Sequence, residues 1–378
     1  MKIINTIKET LAVNIKNIIG WKTKRKIIVF SVDDYGNIRL DSRQARDKMF
    51  SNGLKPTSRF DIFDTLETTD DLNALYETLC SVKDKNQQHP VFTAFATCAN
   101  IDFESMKQNG YTNYQYEELP ESFNKLKGYE NTWQLWQHGM IERLLVPQFH
   151  GREHLNIKVL MEALNKKDRD TLNCFENRSY AAIADTGYST ISFTAALDFY
   201  EFEENESLKK IVADGLNLFE KVFGYRATNF TPCGSNGYSS SIDPVLAKGG
   251  IKYIDTSRFK EDHLGKGRLG KKTFNYTGKK NTLGQTYLVR NCVFEPTEER
   301  GIDWVAYCMK QIEAAFRWNL PANISSHRVN FCGHIDPKNR EAGLKALQQL
   351  LSAIVQHWPD VEFMTSRELG DLITSVDN

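Results

Sequence analysis

Two carboxylates stand side by side at the end of an apolar run, KIIVFSVDDYGN, where Asp33 and Asp34 precede Gly36. Adjacent like charges favour either a bound cation or a raised pKa on one of them. Read alone, the segment is also an ordinary exposed Asp-Asp-x-Gly turn. A second run, LLVPQFHGREHLN, sets His150 and His154 four residues apart. On a turn of helix such imidazoles share a face and can bind one divalent ion, although the pair by itself reads more readily as incidental surface histidines. Joined to a strand-end Asp, they make a two-His, one-carboxylate set with open positions for water and substrate, which suits a catalytic metal. Arg226 precedes the rigid turn formed by Pro232, Gly234 and Asn236. It could hold an acidic residue ionised through a bidentate bond or belong to a structural ion pair. His327 and His334 lie near a late strand end, where a histidine could serve as a general acid near neutral pH or be a satisfied core or loop residue.

The elements that must position these groups follow from periodicity. Short β-branched and aromatic runs alternate with helical patterns, as in an alternating β and α chain. Strands are expected at 26–31, 90–97, 144–149, 189–193, 227–231, 252–255, 286–294, 323–326 and 361–364. These suit an α/β fold, a distorted (β/α) barrel of seven or eight strands in which reactive residues collect at the C-terminal strand ends. Residues 1–25 read as an N-terminal amphipathic helix packed on the domain, with Ile4, Ile7, Leu11, Ile15 and Ile18 at helical spacing. The alternative is a membrane-surface or partner-docking helix using Lys22, Lys24, Arg25 and Lys26. Residues 26–378 read as one catalytic domain with loop insertions near 100–131 and 258–285, which are expected to cap one barrel face.

The chain has 378 residues, with 48 Lys and Arg against 48 Asp and Glu, so its summed field gives no reason to expect nucleic acid as partner. A hydrophobic share of 40% is that of a folded globular chain. Seven scattered cysteines without a C-x-x-C pair point to reduced thiols and a cytoplasmic setting, not to a cysteine zinc site. No stretch approaches the roughly 18 apolar residues of a membrane span, so at most peripheral membrane contact is expected.

In chain order, the Asp-Asp pair, the His-x-x-x-His, the Arg before Pro-x-Gly and the late strand-end His resemble the polysaccharide deacetylase family, carbohydrate esterase family 4, also called NodB-like. The resemblance runs over about residues 26–370, ending in FMTSRELGDLI. It implies a distorted (β/α) barrel in which Asp33 is the catalytic base, Asp34, His150 and His154 bind the metal, and Arg226 orients Asp33. His327 is implied as the acid in preference to His334, with Asp255 as the aspartate that tunes it. The implied cofactor is a divalent metal, zinc first, with cobalt, nickel, manganese or iron fitting similar geometry. The implied reaction removes N- or O-acetyl groups from a carbohydrate. Tyr35, Trp133, Trp136 and Tyr238 are candidates for stacking on sugar rings or for the core. The sequence departs from the family pattern at Tyr35, which is inserted before Gly36 and resembles YdjC-like deacetylases. It departs again at Gly151, which replaces Ser or Thr, and at Arg226, which lies six residues before Pro232 instead of two. Two rivals remain in view: a two-carboxylate glycosidase, which needs no metal, and a non-catalytic carbohydrate-binding protein on the same barrel.

Overall fold

Nine strands form one parallel sheet in the computed structural model, which describes residues 13–183, 185–234 and 237–375. They are β1 (Lys26–Tyr35), β2 (Phe92–Thr97), β3 (Leu145–Gly151), β4 (Asn229–Phe230), β5 (Tyr253–Thr256), β6 (Thr286–Val289), β7 (Cys292–Val293), β8 (Ala322–His327) and β9 (Val361–Met364). Their spatial order is β6-β5-β4-β3-β2-β1-β8-β7, with β9 beside the first residues of β1. Parallel strands covered on both faces read as continuous apolar runs. Accordingly β2 is buried throughout and β1 is buried from Ile27 onward.

The two ends of this path, β6 and β7, are consecutive in the chain and joined only by Arg290 and Asn291, which span at most about 11 Å between flanking Cα atoms. The sheet therefore curls until its edges meet at that link. The Arg290 N–H donates to the Thr256 carbonyl of β5 at 3.2 Å, and the Asn291 N–H to the Asn323 carbonyl of β8 at 3.1 Å. No ladder pairs β6 with β7 among the described residues, so the barrel is distorted along one seam.

Helices cover the outside, and their ends carry the expected signals. Helix α1 (Thr69–Cys80) opens on a reciprocal Thr68–Asp71 capping box. Asn156 caps α2 (Ile157–Asn165) by accepting from the Val159 N–H. Helix α3 (Asn205–Phe223) stops at Gly224, whose φ of 79° is the left-handed conformation glycine adopts without penalty. Helix α4 (Trp304–Arg317) packs over β7 and β8, and the long α5 (Pro337–His357) packs beside it and against the turn that follows β8.

Two strand expectations need correction. Residues 189–193 form a loop, not a strand. Ile191 and Phe193 are buried there while Thr186 Oγ1 donates to the Ile191 carbonyl and the Asn156 N–H to the Phe193 carbonyl. Side-chain and cap hydrogen bonds thus take the place of a ladder. The run 286–294 breaks into β6 and β7 at Arg290. The segments near 100–131 and 258–285 contain hairpins, Ala99–Ile101 with Tyr116–Glu118 and Phe259–His263 with Leu269–Phe274. At the N-terminus, Ile4, Ile7 and Leu11 lie outside the described residues. From there on, Val13 is buried, Ile15 and Ile18 are exposed, and Lys16 donates to Gln311 and Asn291 to Asn17. No helix among the described residues is long and apolar enough to cross a membrane.

Candidate metal and acid-base site

Two irregularities in the sheet build the site. Between Val32 and Tyr35, β1 carries one residue more than β2, because Val32 faces Ala94 and Tyr35 faces Ala96. Between Phe149 and Gly151, β3 does the same, because Ala96 faces Phe149 and Thr97 faces Gly151. The residues in excess are at Asp33–Asp34 and at His150. Regular alternation would send Asp33 and Asp34 to opposite faces, whereas a bulge at a barrel rim re-aims the side chains. Asp34 completes the turn with φ of 75°, a left-handed conformation that Asp tolerates better than most residues. Both carboxylates line a cavity of about 490 Å³ together with His150, His154, Arg290 and His327.

Within this cavity Asp34 Oδ1 lies 2.8 Å from His154 Nε2 and 3.4 Å from His150 Nε2. The two rings are 5.1 Å apart. They do not share a helical turn as expected. His150 sits in the β3 bulge and His154 in the bend ahead of α2, with Gly151 between them at φ of 156°. A Cβ on Gly151 would stand 3.0 Å from the Glu153 carbonyl oxygen and 3.1 Å from Cys233 Sγ, so a Ser or Thr here would require these neighbours to give by a few tenths of an ångström. Cys233 escaped the sequence reading. Its buried thiol donates to the His150 carbonyl at 3.0 Å, and its sulfur and the two histidines offer ligand atoms all within 4.8 Å of one another.

The donor set fits a cation. His150 Nδ1 lies 2.9 Å from the Thr231 carbonyl, an acceptor, so this nitrogen carries a proton, and in the neutral ring Nε2 then presents a lone pair toward Asp34. A lone pair aimed at a carboxylate is repulsive unless a proton or a metal ion lies between them. His154 Nδ1 is buried without a partner among the described residues, so no acceptor fixes its proton as the Thr231 carbonyl fixes that of His150.

Asp33 is held differently. Arg290 grips it with two parallel hydrogen bonds, Nη1 to Oδ2 at 2.6 Å and Nη2 to Oδ1 at 2.8 Å. Burial alone would push the Asp33 carboxyl up, but the Arg290 charge and its bidentate bond outweigh that and hold it below the usual carboxylate range. Arg226, expected in this role, instead pairs with Glu220 on the surface. It precedes β4 and so stands at the N-terminal rim, whereas Arg290 follows β6 and stands at the C-terminal rim beside Asp33. Placing one strand over 286–294 concealed this arginine; a break at Arg290 would have revealed it.

His327 is the register partner of Asp33 across β1 and β8, with its Nε2 4.0 Å from Asp33 Oδ2. Its Nδ1 is 2.7 Å from Glu295 Oε1. Glu295 in turn accepts from Asn330 at 2.8 Å and from Arg59. Burial pulls the His327 pKa down, yet Glu295 overrides it and brings the imidazole up to about 9. Glu295, not Asp255, is therefore the carboxylate beside this histidine. Asp255 lies inside the barrel and accepts from Ser366 and Asn229, with burial pushing its carboxyl up. His334 packs on the Tyr129 ring at 5.4 Å and does not line the cavity. The stacking candidates are likewise displaced: Tyr35, Trp136 and Tyr238 are buried in the core, and Trp133 packs against Phe123 and Phe223. Phe60, edge-on to His327 at 5.3 Å, is the aromatic ring that lines the cavity.

No protein-family model matches this sequence, and no curated protein matches it. Solved structures do. Its fold is similar to that of polysaccharide deacetylases. A protein described as a polysaccharide deacetylase from Pseudomonas aeruginosa PAO1 is 9% identical, with 92% of this chain and 90% of that chain covered and a TM-score of 0.45. One so described from Mycobacterium smegmatis is 12% identical, with coverage of 95% and 94% and a TM-score of 0.45. A protein from Parabacteroides distasonis, described as a glycoside hydrolase/deacetylase, is 11% identical, with coverage of 94% and 71% and a TM-score of 0.47.

Proposed function

We propose that this protein is a metal-dependent hydrolase that removes acetyl groups from a carbohydrate. The observation that carries the reading is the convergence, in one cavity, of a carboxylate clamped by Arg290, a second carboxylate facing two imidazoles, and a histidine charged by Glu295. Asp34, His150 and His154 would hold the divalent ion, with zinc the first choice for this donor set. When bound, such an ion supplies Lewis acidity, polarising an acyl carbonyl and easing the ionisation of water.

The chain's own groups supply the rest. Asp33, kept as carboxylate by Arg290, takes the proton of the attacking water. His327, kept as imidazolium by Glu295, gives its Nε2 proton to the departing amine or alcohol. Base and acid thus begin in opposite protonation states, each set by its own counter-ion, as two-residue acid-base catalysis needs. The hydroxyls of Thr194, Thr231, Thr256, Ser257 and Ser325 line the same cavity and suit the hydroxyls of a sugar.

A two-carboxylate glycosidase fits less well. Asp33 and Asp34 are the carboxylates of the cavity wall among the described residues, adjacent in the chain and both already engaged. The test is acetate release from acetylated oligosaccharides by zinc-loaded protein. Activity should vanish with a chelator and return with metal, and His150→Ala should abolish both acetate release and stoichiometric metal in elemental analysis. Chelator-resistant turnover would overturn the reading, and absence of acetate from every acetylated sugar would favour a binding protein.

A further inference from the structure

Arg39 has no place in the chemistry above, yet it lines the same cavity while its side chain is only 10% exposed. Its guanidinium makes no hydrogen bond among the described residues, and its Nε is sealed from solvent without a partner. The neighbouring charge is Asp64, 3.4 Å from Nε and misaligned for a hydrogen bond. Asp64 is shared between two arginines: its Oδ1 accepts from Arg328 Nη2 at 2.8 Å and from Arg328 Nε at 3.3 Å, while its Oδ2 faces Arg39 as an ion-pair partner without a hydrogen bond. A buried arginine with idle donors is costly unless something completes it. The terminal Nη groups are the part of Arg39 left to face the cavity.

The position of these donors is set by rings. The guanidinium lies over Phe60 at 5.0 Å, and Phe60 meets His327 edge-on at 5.3 Å. Arg39 therefore stands one ring away from the group that protonates the departing atom. Two parallel N–H donors of a planar guanidinium match the two oxygens of a carboxylate. Of the two carboxylates that line the cavity among the described residues, Asp33 is spent on Arg290 and Asp34 on the two histidines, while Asp64 makes its closest approach to Arg39 at Nε and not at the terminal nitrogens.

We propose that Arg39 binds a carboxylate on the substrate, so that the sugar processed here is an acidic one carrying its acetyl group close to its acid group. The inference rests on the deacetylase reading and specifies its substrate class. A purely structural arginine would affect stability alone and would not distinguish a charged sugar from its neutral ester.

The test compares N-acetylmuramic acid and O-acetylated glucuronic acid, each with its own methyl ester, as substrates of the zinc-loaded protein. The wild-type protein should prefer the acid over the ester by roughly tenfold to hundredfold in kcat/KM, the difference lying in KM. In R39Q the acid-to-ester ratio should collapse toward one, and R39K should retain part of it. An acid-to-ester ratio near one in the wild type, or one unchanged in R39Q, overturns the proposal. If R39Q fails to fold by circular dichroism, the wild-type ratio and R39K decide. If no substrate releases acetate, the deacetylase reading falls, and calorimetric titration with glucuronate still judges the anchor. In that titration, wild type should bind glucuronate at least about tenfold more tightly than methyl glucuronate, and R39Q should not; equal binding overturns it.

Discussion

His327 and Asp33 face each other across two paired strands, and each owes its protonation state to one neighbour. The His327 pKa is raised from the ordinary histidine value of about 6.5 to about 9 by Glu295. A raised folded-state pKa contributes stability that is complete below the unfolded value and is lost as pH rises through the folded one. The charged pair should therefore weaken between about pH 6.5 and 9, and the alkaline limb of kcat/KM should fall near 9. Glu295→Gln should move that limb down toward the ordinary histidine range, which a pH-rate profile measures directly. For Asp33 the sign is reversed. Its pKa is held down by Arg290, so Arg290→Gln should shift the acid limb upward and lower kcat/KM by about tenfold or more. Arg226→Gln should leave the profile unchanged, because that side chain pairs with Glu220 on the opposite rim.

At the level of elements, the site depends on how α5 seats the segment after β8. A Cβ on Gly343 of α5 would overlap the Asn330 carbonyl oxygen. Asn330 donates to Glu295, and Glu295 holds His327. Gly343→Ala should accordingly cost about 1–3 kcal/mol through forced displacement of that backbone. Urea denaturation would measure the cost. The same displacement should loosen the Glu295 contact, so the alkaline limb of the profile should move down along with the stability. The bulges in β1 and β3 belong to this scale too. They supply the two extra residues that bring Asp34 and His150 to one point.

Across the whole molecule, Arg328 ties the end of the barrel to the long connection between β1 and β2. It is buried and donates to Glu67 at 2.9 Å and to Asp64 at 2.8 Å. Removing one member of such a network leaves the others charged and dry. Arg328→Met is expected to destabilise the fold by about 3–5 kcal/mol. By contrast, Lys209→Ala, which breaks a pair with the exposed Glu206, should cost at most about 1 kcal/mol. Comparing the two denaturation midpoints tests whether the buried cluster fastens the barrel. The inner wall has its own polar layer, in which Asp255 joins Ser366, Asn229 and Asn323 across strands distant in the chain.

The alternating apolar runs carried the α/β class and most strand positions, because burial on both faces of a parallel sheet demands continuous hydrophobic segments. The same runs marked their ends, and the residue types standing there, Asp33, Asp34, His150, His154 and His327, were readable before any coordinate. Their partners were not. Arg290 and Arg226 look alike in one dimension; only the strand break after Val289 puts the first on the rim with Asp33 and the second on the other. Glu295 lies far from His327 in sequence, and Asp255 ended a strand just as plausibly, but the seam between β6 and β7 directs Glu295 to the mouth while Asp255 turns inward. Residue type and periodicity are local properties of the chain. Which charge meets which is decided by closure of the barrel and by two bulges whose register no periodicity records.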